Sequence, residues 1–587
     1  MPQIDLLLLH PPSVYDFREW AILYGPISDL IPSSPVFEMY PLGFLTMTSY
    51  LEERGLKVRI VNLALRMIND RRFDVPAFLT RLNPKAIGID LHWLPHAHGS
   101  IEVAKLVKQI HPTVPVIFGG LSATYFHEEL IEYPAVDYVL RGSSVEPPLH
   151  ELLLSLDSEQ SPQHVPNLTW KANGEVHINP FTFIPNTLDF VDLMPERLVK
   201  MVLRHRDLQS VLPFSGWWQN PITAVFTVKG CVHECVTCGS SSQACSLLSK
   251  REQPLFRSPK NLVKNMIDIS RFSKGPIFLV GDLRQAGDEY AYQTLALLRE
   301  ANIKNEIVFE LFEMPPLDFL RVIDESVADW SLELSPESHD EDIRGVQDET
   351  TSFGNAEMES VIQAAQSLGC HRIDVFFMIG LPRQTQRSVE ETIHYCEHLM
   401  QESDTRLSCF ISPMGPFIDP GSRGFEEPER FGYRLFARTL EEHRQLLVQP
   451  SWQQILNYET IWMSRAELVS ATYDAAEALN SLKLKYGRIG RARGEEVARR
   501  IKQAREIKER LDAIDHGNTT DPEVFQVLQG EIYAFSVSTV CDKKELFWRR
   551  RLVSYKPIGI LRIVLAHLCD LINGLLATKI DPEKSSN

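Results

Sequence analysis

The stretch TVKGCVHECVTCGSS, residues 227–241, decides how the rest of the chain is read. It sets Cys231, Cys235 and Cys238 in a C-x3-C-x2-C spacing. The apolar run 222–228 before them reads as a buried strand, so the cysteines sit on the loop leaving that strand. Three thiolates on one short loop can hold one iron–sulfur cluster, because thiolate is the usual protein ligand of cluster iron. A fourth cysteine is not in the pattern, which would leave one iron of a four-iron cluster open to another ligand. Two further readings stand beside this one. A structural zinc site wants four ligands, and His233 or Cys245 could supply the last. The three thiols could also be unrelated.

Beyond the loop, strand and helix patterns alternate. Apolar runs at 276–280, 306–311, 328–334, 372–379 and 406–411 join the first strand to make six. In parallel barrels the chemistry lies at the carboxyl ends of the strands, and the turns Gly281-Asp282, Ser335-Pro336-Glu337 and Gly380-Leu381-Pro382 all fall there. Residues 338–341 also carry a capping-box pattern, so the Ser-Glu turn has a purely local explanation beside a functional one. Asp374, Glu310, Glu313 and Glu333 lie in or near these strands. Buried carboxylates are costly unless paired, and salt bridges are the favoured reading.

The cysteine loop resembles the signature of the radical S-adenosylmethionine (SAM) enzymes, which carry C-x3-C-x2-C after the first strand of a partial (β/α) barrel. The resemblance implies a 4Fe-4S cluster on Cys231, Cys235 and Cys238, whose open iron binds the amino and carboxylate groups of S-adenosyl-L-methionine. An electron from the cluster then cleaves the sulfonium to give a 5′-deoxyadenosyl radical. It further implies cofactor-binding roles for Gly281 and Asp282, standing where the family commonly has Gly-Gly-Glu around the methionine amino group. Ser335 and Glu337 would meet the ribose hydroxyls or the ammonium group. Gly380, in a turn like the family's Gly-Leu-Pro, would let the adenine approach backbone. Thr237 stands where the family often has an aromatic residue near the adenine. Residues 410–420 would line the substrate side.

Residues 1–155 carry their own strand-helix rhythm, with strands at 4–9, 57–63, 86–90, 114–118 and 136–140. This argues for a doubly wound, Rossmann-like parallel sheet, whose ligands bind beyond the carboxyl ends of the strands. The turns at Ser13, at Gly119-Gly120 and at Gly142 fall at those ends. A glycine pair alone also fits a simple tight turn. Placed before a radical SAM core, however, the domain resembles the cobalamin-binding domain of the cobalamin-dependent branch. The matching positions are Gly119, Gly120 and Thr124 after the fourth strand and Gly142 and Glu146 after the fifth. The resemblance implies cobalamin edge-on over these loops, with its tail between sheet and helices. The histidine-ligating motif D-x-H-x-x-G is absent after the first strand, so His92 is not assigned as a cobalt ligand. His92, His96 and His98 cluster in HWLPHAHG; a polar loop facing cofactor or substrate is favoured over a metal site. The proline- and aromatic-rich stretch 10–42 reads as a lid, with a structural wrap between domains as the alternative.

The chain has 587 residues, enough for two to four domains. Its net charge of −17 gives no nucleic-acid footprint. Nine cysteines, three of them clustered, fit a reducing cytoplasm better than a disulfide framework. The N-terminal apolar run is too short for a signal peptide. Residues 156–220 read as a connector containing a hairpin at Asn173-Gly174, 221–425 as the partial barrel, and 426–587 as mainly helical. Within the last, the charged run 486–511 reads as a solvated helix. Aromatic, basic and apolar residues at 547–577 read either as a peripheral membrane contact or as a helix docked on the protein's own core. The whole resembles a cobalamin-dependent radical SAM enzyme that methylates or rearranges an unactivated carbon. Its substrate would be an unknown small molecule or a lipid-like one, and its electron donor a flavodoxin or ferredoxin. The competing readings are a radical enzyme without cobalamin and a non-catalytic iron–sulfur or zinc protein.

Overall fold

The computed structural model describes residues 3–20, 22–23, 36–190, 192–193, 195–217, 221–513, 522–534, 545, 556–565 and 568. The N-terminal sheet holds Ile4–His10 (β1), Val58–Asn62 (β2), Pro84–Asp90 (β3), Val116–Gly119 (β4), Tyr138–Leu140 (β5), Leu168–Ala172 (β6) and Glu175–Ile178 (β7). Its order is β2-β1-β3-β4-β5-β6-β7. The first five strands are parallel, and β6 and β7 add antiparallel. The run IDLLLLH of β1 is apolar on both faces because helices cover both sides of the sheet. Strand order reverses between β1 and β3, which places a ligand crevice outside their carboxyl ends. The hairpin expected in the connector is the β6–β7 turn, with Asn173 and Gly174 at φ of 53° and 83° as a type I′ turn requires. The connector thus supplies two strands to this sheet.

The second sheet is wholly parallel and ordered β15-β14-β13-β12-β11-β8. It comprises Thr223–Phe226 (β8), Ile277–Val280 (β11), Glu306–Leu311 (β12), Asp329–Glu337 (β13), Ile373–Ile379 (β14) and Leu407–Pro413 (β15). Between the first two lie Val228–Lys229 (β9) and Leu255–Phe256 (β10), a short antiparallel pair beside the cysteine loop. The six strands curl into a partial barrel. Inside it Phe376 and Phe410 stack with centroids 5.1 Å apart, and Asp374 pairs with Arg372 at 2.7 Å. Helix Arg465–Lys485 lies along the β15 edge, and its Lys483 Nζ stands 4.0 Å over the Phe410 ring. An open barrel edge is thereby covered, as an unpaired strand requires.

The C-terminal region is not purely helical. Tyr433–Leu435 (β16) and Tyr458–Thr460 (β17) pair antiparallel. This short pair has too few residues for its period to stand out in sequence. Helix Arg491–Ala513 carries the expected Arg491–Glu495 and Arg500–Glu496 pairs. It also buries Val497, Ile501, Ala504 and Ile507 as a stripe, so it is packed rather than only solvated. Of the stretch 10–42, residues 24–35 lie outside the described residues. Leu23 bridges to Ser451 in parallel register, tying the stretch to the C-terminal region. Most of 547–577 is likewise outside the described residues. Residues 557–565 form a helix docked on the end of helix Pro259–Phe272 through Lys556 N–H to Phe272 O, 2.7 Å. No helix among the described residues is long and apolar enough to cross a membrane.

Candidate active site

The cysteine loop is fixed by backbone contacts rather than by its sulfurs. Val236 N–H donates to Gln347 O at 2.8 Å, and Gly424 N–H to Val236 O at 2.7 Å. Arg423 Nη2 donates to Glu234 O at 2.7 Å, and Gln347 Nε2 to the Thr237 hydroxyl at 2.9 Å. Burial pushes the Cys231 thiol up to about 11, Cys238 up to about 12, and Cys235 well above its usual value. Three such thiols ionise only around a cation. Ligands of one tetrahedral zinc would stand about 3.8 Å apart, given Zn–S bonds near 2.3 Å. Among the described residues the only three-ligand group drawn together within 4.8 Å is His10, Asp90 and His96, so the three cysteine sulfurs are spread wider than one ion allows. The candidate fourth zinc ligands are also engaged. His233 Nδ1 pairs with Asp348 at 2.9 Å, and the Cys245 sulfur packs beneath Gly230. The donor set fits a cluster, in which each thiolate takes its own iron.

A cleft of about 500 Å³ opens against this loop. Cys231, Cys238 and Gly281 line one side of it, and Gly119, Gly120, Gly142 and Glu146 line the other. It runs down between the N-terminal sheet (Leu6, Leu8) and the helices Leu42–Glu52 and Glu146–Asp157 (Phe44, Leu149). That is an apolar slot where the tail of a cobalamin is expected. A Cβ on Gly119 would meet only Leu140 O, at 3.8 Å, so this wall is bare backbone facing the cleft. Glu146 Oε1 accepts from the Thr46 hydroxyl at 2.7 Å, while Oε2 is buried without a partner. Such an orphan acceptor suits an amide-rich ligand. Lys229, on β9, reaches across to Ser143 O at 2.8 Å and ties the two domains at the cleft's rim.

Other expected residues lie elsewhere. Thr124 braces the two glycine turns, its hydroxyl donating to Gly120 O and accepting from Gly142 N–H at 2.8 and 2.9 Å. Ser13 is buried against helix Ala97–Ile110, whose Gly99 N–H donates to Ser13 O. Asp282 caps its own turn and pairs with Arg284, which also reaches Glu313 O. A bulge where β13 meets β14 contains Ser335 and brings Glu337, at φ 62°, beside the cysteines. Burial, with Asp348 nearby, pushes Glu337 up to about 7, and its charge in turn bears on Cys235. Gly380, at φ 104°, packs on Tyr458 and accepts from the Tyr433 hydroxyl at 2.9 Å.

Glu310 lines the cleft as well. The expected salt bridge holds for Asp374 but not here. Glu310 accepts from Gly281 N–H at 2.7 Å, and Glu313 accepts from the Ser352 hydroxyl at 3.1 Å. The partner of Glu310 is backbone on the next strand, which no local motif reports. Burial pushes Glu310 up to about 7 from 4.5. The folded chain therefore keeps a proton that the unfolded chain releases. The resulting stability is complete below pH 4.5 and is lost as pH rises to about 7. Glu310→Gln should remove roughly 2–3 kcal/mol of this pH dependence. Thermal unfolding of the cofactor-free chain at pH 5 and 7.5 checks it, and parallel curves for both proteins would contradict it.

Comparisons with known proteins place these two halves. The family description "B12 binding domain" matches residues 30–149, and "Radical SAM superfamily" matches residues 225–396. An uncharacterised methyltransferase, PH0819 of Pyrococcus horikoshii, is 26% identical over 245 residues, 41% of this chain. The matched stretch spans about half of that curated relative, 47% of its length. Among solved structures, the radical SAM methyltransferase TsrM of Kitasatospora setae, with cobalamin and [4Fe-4S] cluster bound, aligns at TM-score 0.56 and 14% identity, over 91% of this chain and 99% of that one. The cobalamin-dependent radical enzyme OxsB, with aqua-cobalamin and S-adenosylmethionine bound, aligns at TM-score 0.51 and 14% identity, over 100% of this chain and 81% of that one. At such identity these structures establish a shared fold.

Proposed function

The chain joins a B12-binding domain to a radical SAM domain, and from that premise we propose that it is a cobalamin-dependent radical SAM methyltransferase acting on an unactivated carbon of a largely apolar substrate. The observation that carries this reading is the single cleft reached by Cys231 and Cys238 from one side and by Gly119 and Glu146 from the other. When bound, S-adenosylmethionine at the cluster supplies hydrogen abstraction, and cobalamin supplies the methyl group.

The chain's own residues then have distinct tasks. Cys231, Cys235 and Cys238 hold the cluster, and the Gln347 and Gly424 contacts keep their loop in place. Gly281, held by Glu310, presents backbone to the methionine end of S-adenosylmethionine. Glu337 offers a carboxyl group on the far side of the cysteines. Gly119 lets a flat ring lie close, and Glu146 Oε2 accepts from an amide.

A second cleft of about 510 Å³ shares Pro41, Leu42, His92 and Val280 with the first. Leu45, Val202, Phe214, Trp217 and Phe278 give it apolar walls, with Glu333 at its edge. Such walls suit a hydrocarbon chain and exclude water from the reacting carbon. Ile558, Leu561 and Leu565 point outward beyond it. They support a cytoplasmic enzyme that touches a membrane to collect a lipid-like substrate. Electrons would come from an external donor such as flavodoxin or ferredoxin.

The test is anaerobic reconstitution with iron, sulfide and cobalamin, followed by reduction with methyl-labelled S-adenosylmethionine and a total lipid extract. The expected result is 5′-deoxyadenosine, S-adenosylhomocysteine and label in an extractable lipid. Label confined to polar products would contradict the substrate class. Absence of both nucleoside products with the cluster loaded would contradict the enzyme.

A further inference from the structure

Next to the cleft, at the point where strand order reverses, lies a buried cluster that none of the above chemistry uses. β1 and β3 pair with Leu9 opposite Ile89, which sets His10 beside Asp90 at the strand ends. The turn Leu94–His96 then drops His96 onto them, with the His10 and His96 ring centroids 4.8 Å apart. The close approach depends on Gly99, where any side chain would overlap the Pro12 carbonyl. His10 and His96 are fully buried and Asp90 is 3% exposed. One ligand atom from each lies within 4.8 Å of the others. His98, grouped with His92 and His96 by sequence, instead sits against Trp20, with ring centroids 6.2 Å apart.

Two features of the hydrogen bonding ask for a cation. Both nitrogens of His96 are buried and neither makes a well-formed hydrogen bond, the Pro11 backbone being the one polar neighbour of its ring, a state native interiors avoid. Both nitrogens of His10 face oxygens: Nε2 is 3.0 Å from Phe37 O, and Nδ1 is 3.1 and 3.2 Å from the two oxygens of Asp90. A neutral imidazole has one N–H. With that N–H on the Phe37 carbonyl, Nδ1 turns a lone pair toward a carboxylate, and either a second proton or a bound metal ion must stand between them.

We propose that His10, Asp90 and His96 bind a divalent transition-metal ion, which fastens the β1 and β3 loops and the Phe37 backbone beneath the cleft. Two imidazoles and one carboxylate form a donor set suited to zinc or iron(II). His92, whose Nδ1 meets Asp90 Oδ2 at 2.7 Å and which lines both clefts, stands between the site and the ligand space. The site is independent of the cysteine loop and of the function proposed above.

The probe is zinc. The full-length, cluster-loaded chain is stripped with a chelator, given zinc, gel-filtered and analysed for metal by mass spectrometry. The same is done with the chain in which Cys231, Cys235 and Cys238 are alanine, so that thiols cannot hold the ion. We expect about one retained zinc per chain in both, weakened at least about tenfold by His96→Ala or by Asp90→Asn and unchanged by His98→Ala. Zinc lost with the cysteines, or zinc indifferent to His96, overturns the site. If His96→Ala does not fold, thermal unfolding of the alanine-triad chain decides: zinc should raise its midpoint over chelator, as any ligand of the native state does, and no rise overturns the proposal.

Discussion

Replacing Cys231, Cys235 and Cys238 by alanine is expected to abolish iron–sulfur binding and S-adenosylmethionine cleavage while leaving the fold intact. Cluster iron without its thiolates has no other soft ligand in the loop, since His233 is held by Asp348 and Thr350. The loop itself should survive. Its main anchors run from the backbone of Glu234, Val236 and Thr237 to Arg423, Gly424, Gln347 and Asp419, and the one sulfur contact to another element, Cys235 Sγ to Asp348, is long at 3.8 Å. Removing three half-buried, protonated thiols also leaves no charge unpaired. Iron and sulfide content, circular dichroism and 5′-deoxyadenosine formation check the prediction together. Iron retained at the unsubstituted level would show that the cluster lies elsewhere. Loss of the fold would show that the loop anchors are weaker than their geometry implies.

The second large effect separates two adjacent glycines. Gly119→Leu should eliminate cobalamin binding without unfolding the domain. Its Cβ has room, and the rest of the side chain would project into the cleft that the ligand needs. Gly120→Ala should instead destabilise the domain itself. Gly120 has φ 117° and ψ 173°, a region essentially confined to glycine, and its Cβ would overlap the His92 backbone. The conformation alone costs roughly 1–3 kcal/mol, and the overlap adds to it. Equilibrium denaturation and cobalamin titration by absorbance distinguish the two variants. Normal cobalamin affinity in Gly119→Leu would remove the ligand from this cleft.

Much of this was legible in the chain because it is local. Strands β1, β3 and β14 are mostly apolar runs, and the cysteine spacing, the Asn173-Gly174 turn and the glycine pair each stand within a few residues. Hidden were the partners that meet only after folding. Glu310 reads as a costly mid-strand carboxylate until β11 brings Gly281 N–H to it. Asp282 gives no sign in sequence of the ion pair that Arg284, two residues later, makes with it. His10 is separated from Asp90 by 80 positions, and the β1–β3 register alone joins them. Tyr433 and Tyr458, which enclose Gly380, come from a strand pair too short to show a period.

The most direct test of the central claim, that one interdomain cleft takes both cofactors, is electron paramagnetic resonance of the loaded chain. The sample holds cob(II)alamin with the cluster either oxidised or reduced. Because the residues proposed for both cofactors line the same cleft of about 500 Å³, reducing the cluster should broaden the cobalt signal and speed its relaxation. The alanine-triad chain should show neither change. A cobalt signal indifferent to the cluster's redox state would mean that the two cofactors do not share this cleft.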